Sequence, residues 1–234
     1  MRVSVLIVEN PDEVVAELSS RWLTPEGRIK LLPAAEFQSV PREQLMLWCN
    51  RTARYGIPTL ELVRWLKGQI GNRSAIEVGA GNGDLGYHLG IPSTDSFIQC
   101  SPELRLYYAA LGQVPTTPPE DVFRFDAVAA VKKWMPEVVV ASWLTRRFVD
   151  GKDVPGAAQA SVYGPCEEEL VRLSRTYIHL GNEGSHGSKT ALKLKHREFS
   201  FPWLVSRAQE PEKNVVYLWG DLVTHNQEDM TDGI

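Results

Sequence analysis

From Ser74 onward, short apolar runs alternate with segments of helical periodicity. Ala75, Ile76 and Val78 form the first run, interrupted only by Glu77. Residues 138–144 are almost continuously apolar, the pattern of a central parallel strand covered on both faces. Brief strands are expected ending at Asp95, over 122–126 and over 175–180, with two more near 192–199 and 215–219. Helices are expected between them. Ser101-Pro102-Glu103 opens one over 102–111, 127–135 carries Lys132 and Lys133 towards its C-terminus, and a third covers 166–174. The helix that follows the first run must be short, because Gly90 and Pro92 interrupt it. Strands alternating with helices in this way predict a parallel sheet with helices on both faces.

The first seventy residues read differently. Residues 3–8 form an apolar run followed at once by Glu9, Asn10 and Pro11, which favours a strand over a signal peptide. Asn10-Pro11-Asp12-Glu13 is a helix start, with Val14, Val15, Leu18 and Trp22 at helical spacing behind it. Residues 28–43, with Pro33 and Pro41, look irregular. Helices are expected over about 42–53 and again where Leu62, Val63, Leu66 and Ile70 share a face. The chain is thus expected to divide into a cap over 1–70, a main α/β domain over 71–220 and a polar tail over 221–234.

Composition narrows the class. The chain has 234 residues, 43% hydrophobic and 23% charged, which suits a globular fold with one sizeable core. No apolar run approaches the roughly 20 residues that cross a bilayer, so no membrane partner is expected. Cys49, Cys100 and Cys166 lie far apart without a CxxC pair, so neither a disulfide framework nor a metal site is indicated, and a reducing, cytoplasmic setting is the expectation. A net charge of −4 does not point to nucleic acid, although local basic stretches at Arg146-Arg147 and 189–197 leave that partner open. Oligomeric state is not legible.

The chemistry concentrates in Glu77-Val78-Gly79-Ala80-Gly81-Asn82-Gly83-Asp84-Leu85-Gly86. Glycines after a buried strand let the backbone take positive φ and approach a ligand, with peptide N–H groups of the next helix facing it. Gly81-x-Gly83-x-x-Gly86 fits a dinucleotide fingerprint, whereas Glu77-x-Gly79-x-Gly81-x-Gly83 fits the pattern of S-adenosylmethionine (SAM) sites. Glu77, Asp95 and Asp126 each fall at the C-terminal end of a successive strand, the edge where open α/β sheets bind ligands.

Together these features resemble the Rossmann-like SAM-dependent methyltransferases, over about residues 55–220. The resemblance implies a doubly wound, mostly parallel sheet with a C-terminal antiparallel strand. It implies SAM as cofactor, with Gly79, Ala80, Gly81 and Gly83 under its methionine part and Glu77 oriented towards that loop. Asp95 would take the ribose hydroxyls, and Asp126 with Ala127 the adenine. Ser142 and Trp143 would face the methyl group and its acceptor, and Tyr55 or Thr59 would cover the cofactor. The signature of enzymes that methylate exocyclic base amines is missing, since Ala141-Ser142-Trp143-Leu144 stands there. The acceptor is therefore not identified. His186, in a glycine-rich stretch after a strand, is the general-base candidate by position, while His179 reads as structural and Cys166 as a helix start. Each acid alone also reads as a helix cap or a surface charge. Two other functions compete with methyl transfer: an NAD-dependent oxidoreductase with Asp95 on the ribose, and a non-catalytic SAM-binding module.

Overall fold

The computed structural model describes residues 8–144 and 164–222. The expected strand over 3–8 except its last residue, the 145–164 loop except its last residue, the basic pair Arg146-Arg147 and the tail from residue 223 lie outside the described residues.

The chain begins with α1 (Pro11–Trp22), α2 (Ala34–Gln38), α3 (Arg42–Arg51), the short strand β1 (Gly56–Ile57) and α4 (Leu60–Ile70). Then follow β2 (Ala75–Val78), α5 (Asp84–Leu89), β3 (Ser93–Asp95), α6 (Pro102–Ala110), β4 (Val122–Arg124), α7 (Ala127–Trp134) and β5 (Val138–Ser142). The last part comprises α8 (Glu167–Leu173), β6 (Thr176–Asn182), α9 (Glu183–His186), β7 (Arg197–Phe199), β8 (Val205–Ser206) and β9 (Asn214–Gly220).

Seven strands form one sheet in the order β4-β3-β2-β5-β6-β9-β7. The strands β2 to β6 are parallel, and β9 enters antiparallel between β6 and β7. The fold is α/β and Rossmann-like, with a mixed sheet dominated by parallel strands. Strand order reverses between β2 and β5, so a crevice opens there outside the carboxyl ends of the strands.

Alternation along the strands sorts the core onto two faces. Val138 and Val140 point to the layer holding Leu62, Leu66 and Ile70 of α4, whereas Val139 and Ala141 point to the layer holding Ala130, Val131 and Leu170 of α7 and α8. All four strand residues are fully buried, which is why the run lacks polar positions. A third cluster binds the N-terminal helices together around Trp22, Phe37 and Trp48, whose rings meet at 5.0 and 4.9 Å. Burying each of those side chains is worth roughly 2–3 kcal/mol. This cluster also takes in Ile57 and Val205, from the two strands of the small antiparallel β1–β8 ribbon.

Several local expectations change in the structure. Residues 34–38 form α2 inside the stretch read as irregular, because Pro33 and Pro41 bracket a helix instead of preventing one. Asn10 precedes α1 but has left-handed backbone and makes no side-chain cap bond. β4 stops at Arg124, two residues before Asp126, and β5 stops at Ser142, because Trp143 turns to φ +55°. Residues 190–193 form a 3-10 turn, so only Arg197–Phe199 of the expected 192–199 strand pairs. β6 instead runs through Gly181 and Asn182, and α9 takes up the start of the glycine-rich stretch.

Candidate functional site

A cleft of about 890 Å3 opens at the carboxyl edge of β2, β3 and β5. Gly79, Ala80 and Gly81 line its floor, with Glu77 behind them, Asp95, Asp126 and Ala127 on one side and Ser142, Trp143 and His186 on the other. Leu104, Tyr107 and Tyr108 of α6, Tyr55 after α3, Ser206 of β8 and Arg207 after it also line the cleft. Ten of the eleven residues named from the sequence as cofactor or catalytic candidates thus meet in one cavity.

Gly83 is the exception. Its φ of +68° and the 2.6 Å approach of Val122 Cγ2 to an added Cβ explain the glycine, but it faces the protein interior and not the cleft. Thr59 is also elsewhere: its hydroxyl caps α4 by accepting from Leu62 N at 3.2 Å, and it is fully buried. Tyr55 lines the cleft.

The backbone of this loop favours glycine. Gly79 and Gly81 have φ of +63° and +55°, a region that side chains with a Cβ rarely enter. A Cβ on Gly79 would come within 2.2 Å of Leu144 Cδ1. Asp95 fixes this loop, accepting from Gly81 N at 2.9 Å through one oxygen and from Phe97 N at 2.7 Å through the other. A carboxylate has about four lone-pair sites, so acceptor capacity remains on both oxygens. Burial raises the Asp95 pKa against these two N–H bonds. Asp126 caps α7 through Oδ1, which accepts from Val128 N and Ala129 N at 3.0 and 3.1 Å. Its Oδ2 has no protein partner among the described residues.

Glu77 points under α5 instead of into the ligand space. Its Oε2 accepts from Gly86 N and from Ser93 Oγ, each at 2.9 Å. A Cβ on Gly86 would sit 2.0 Å from Ser93 Oγ, so that glycine allows the helix to close on the strand. Burial pushes the Glu77 carboxyl up to about 8, against the two hydrogen bonds that lower it, with Asp84 and Asp95 adding to the rise. At neutral pH it is therefore largely protonated.

The N-terminal helices clamp the loop from outside. Arg54 Nε donates to Asp84 Oδ2 at 3.0 Å, Ile29 N donates to Asp84 Oδ1 at 3.0 Å, and both Arg54 and Asp84 are under a tenth exposed. Arg28 Nη1 donates to Asn82 O at 2.8 Å, and Asn82 Nδ2 returns a bond to Thr52 O at 3.1 Å. His88, beside the loop, meets Ile29 O at 2.8 Å.

Behind Trp143 lies a buried polar group. Lys189 Nζ pairs with Glu167 and donates to Leu144 O at 2.9 Å, while Tyr177 Oη donates to Glu167 Oε1 at 2.7 Å. Lys189 is 3% exposed, so it does not belong to a solvated basic face as its neighbours in sequence suggest. His179 Nδ1 is 3.5 Å from Glu167 Oε1, and burial together with nearby Lys189 and His186 holds its pKa well below the ordinary value, leaving the ring neutral. Trp143 packs edge-on against His186 at 5.1 Å, and a bulky residue at φ +55° marks a strained position in the cleft wall. His186 Nδ1 lies 3.0 Å from Asn182 N and 3.3 Å from Asn182 O, so that ring nitrogen is held by the backbone of the end of β6. Cys166 precedes α8 as expected, and its thiol meets Glu168 Oε2 at 3.5 Å.

Arg54, Arg207, Glu167 and Lys189 escaped the sequence reading. Their partners named here lie 10 to 157 residues away along the chain, so no spacing rule reaches them. Among the described residues there is no cluster of three metal-ligating side chains and no helix long and apolar enough to cross a membrane.

No protein-family model matches the chain, and no curated protein matches its sequence. Among solved structures it is similar to a mutant of Spodoptera frugiperda DNMT2, with 12% identity and a TM-score of 0.33 over 62% of this chain and 49% of that one. It is similar at 12% identity to a protein from Streptococcus mutans named as a SAM-dependent methyltransferase, with a TM-score of 0.32 over 68% and 46% of the two chains. A Pyrococcus horikoshii protein named as an RNA methyltransferase matches at 12% identity and a TM-score of 0.31, over 94% and 100%. The chain spans about half the length of the insect protein. Similarity at these scores carries no functional argument, and the function is argued from the cleft itself.

Proposed function

We propose that the protein is a SAM-dependent methyltransferase. The observation that carries this reading is a convergence: a positive-φ glycine loop, two carboxylates with spare acceptor sites (Asp95 ending β3 and Asp126 capping α7) and the Ser142-Trp143 strand end share one cleft at the point where strand order reverses. The cofactor fits the donor set present. Gly79 and Gly81 would let its methionine part approach the backbone, Asp95 would accept from the ribose hydroxyls, and Asp126 Oδ2 with Ala127 would meet the adenine edge. When bound, SAM supplies a methyl group on a sulfonium sulfur, which an acceptor lone pair takes as the carbon–sulfur bond breaks and its electron pair stays on sulfur. The chain's own part is alignment. Asp95 fixes the loop from below, Glu77 ties α5 to β3 behind it, Arg54 holds the start of α5 through Asp84, and Trp143 and Tyr55 wall the space where an acceptor would lie. A base is needed only where the acceptor atom carries a proton.

Calorimetric titration with SAM and S-adenosylhomocysteine tests this. Either compound at about 100 times its dissociation constant should stabilise the fold by about 2.7 kcal/mol. Asp126→Asn retains the oxygen that caps α7 and should weaken SAM binding about tenfold. No binding, or unchanged affinity in the variant, removes the reading. The dinucleotide alternative keeps one favourable observation, the close packing of Gly86 on β3, and predicts enhanced nicotinamide fluorescence when NADH is added. Binding of SAM without methyl transfer to any acceptor would favour the non-catalytic module.

A further inference from the structure

Arg207 lines the cleft and has no carboxylate within ion-pair distance among the described residues. Its position follows from the β1–β8 ribbon: Gly56 faces Ser206, and Arg207 N donates to Tyr55 O at 2.9 Å, so Arg207 lies opposite Tyr55. The guanidinium carbon sits 3.6 Å from the centre of the Tyr55 ring. Nη1 donates to Asn50 Oδ1 at 3.1 Å, and Nη2 reaches Gln113 Oε1 at 3.4 Å. The side chain is thus held by one aromatic face and two neutral amides, which orient the charge without neutralising it.

A second arginine, Arg42, lies beside it, within electrostatic reach of Glu212. Arg42 Nη1 donates to Ser206 O at 2.8 Å, next to Arg207, while its Nε and Nη2 are buried without a hydrogen-bond partner. Arg42 likewise has no carboxylate within ion-pair distance among the described residues, whereas Arg54 is matched by Asp84. From Arg207 an aromatic wall runs inward, through Tyr55 to Trp143 at 6.2 Å and on to His186 at 5.1 Å.

We infer that the methyl acceptor is a small acid with a flat apolar body, its carboxylate or phosphate held by Arg207 and its body lying along Tyr55 and Trp143. This inference rests on the methyl-transfer reading for the word acceptor, but not for the anion site. A half-buried, oriented guanidinium with only neutral partners matches the two oxygens of a carboxylate or phosphate, and the aromatic wall leads from it to the Ser142-Trp143 strand end. If Arg207 served only to join Asn50, Tyr55 and Gln113, a carboxylate in place of either amide would serve that purpose better.

Gln113→Glu makes that distinction. It adds a near-isosteric carboxylate beside Nη2, so the fold should be at least as stable while the anion site is neutralised. The experiment is titration of the full chain with inorganic phosphate and with benzoate at constant ionic strength, in the wild type, Arg207→Gln and Gln113→Glu, with thermal melts of the same samples. Saturable wild-type binding of at least one anion in the millimolar range, weakened about tenfold or more in Gln113→Glu without loss of melting temperature, is the expected result. Arg207→Gln should show the same loss if it folds. The anion preferred by the wild type separates a phosphate from a carboxylate end. Binding that survives Gln113→Glu, or no saturable binding of either anion, overturns the inference. SAM titration of the same samples reads the parent function separately: anion binding without SAM binding leaves the anion site and removes the acceptor role, and SAM binding without anion binding overturns the inference and leaves the methyl-transfer reading.

Discussion

Replacing Glu77 by Gln should change how stability depends on pH, in a direction the structure dictates. Glu77 is 1% exposed beneath the glycine loop, and burial pushes its carboxyl from the ordinary 4.5 to about 8. An unfolded chain releases this proton above about pH 4.5, but the folded chain holds it until about pH 8. In that window the unfolded state binds fewer protons, so the carboxyl makes the protein less stable as pH rises. The gap amounts to about 5 kcal/mol at about 1.4 kcal/mol per pH unit. Gln keeps an oxygen to accept from Gly86 N and Ser93 Oγ but does not titrate. Its added amide protons cost about 1–3 kcal/mol if unpaired, an offset that is the same at every pH. Urea unfolding at about pH 5, 6, 7 and 8 should therefore show the variant gaining on the wild type by about 1.4 kcal/mol per unit, with the gain ending near pH 8. Taking the difference between the two proteins cancels other groups, including the raised Asp95. Parallel stability curves for the two proteins would refute the reasoning, because Glu77 would then titrate alike in both states.

Two further outcomes follow from the packing. Arg54→Met keeps an apolar stem over Trp48 but leaves the Asp84 carboxylate buried without its cation, so urea unfolding should show a loss of about 3–5 kcal/mol, partly recovered by adding Asp84→Asn. A loss below about 1 kcal/mol would mean that water already screens the pair. Met135 ends α7 at φ +47° with 78% of its surface exposed, so Met135→Gly removes Cβ strain at little packing cost. Strain relief of about 1–2 kcal/mol against about 0.5–1 for glycine's freedom predicts a modest rise in melting temperature, and a fall would count against it.

The sequence by itself determined the sheet and one edge of the site. Parallel strands buried on both faces need unbroken apolar residues, as at 138–141, and a strand that ends against a ligand-accessible turn needs glycine, as at Gly79 and Gly81. Both requirements act within a few residues, so both leave a local pattern. The strand-end acids were legible for the same reason, although their orientation was not: Glu77 turns inward because Gly86 leaves room for its carboxylate, and Asp126 spends one oxygen on α7. Tertiary structure decided everything that depends on distant segments meeting. α2 forms because Phe37 finds Trp22, and β1 exists only because 205–206 returns to pair with it. The Arg54–Asp84 clamp, the Glu167–Lys189 pair and the place of Arg207 on Tyr55 arise the same way. A charge in a sequence reads as solvated until the fold buries it or surrounds it with neutral partners, and only then does its chemistry become specific.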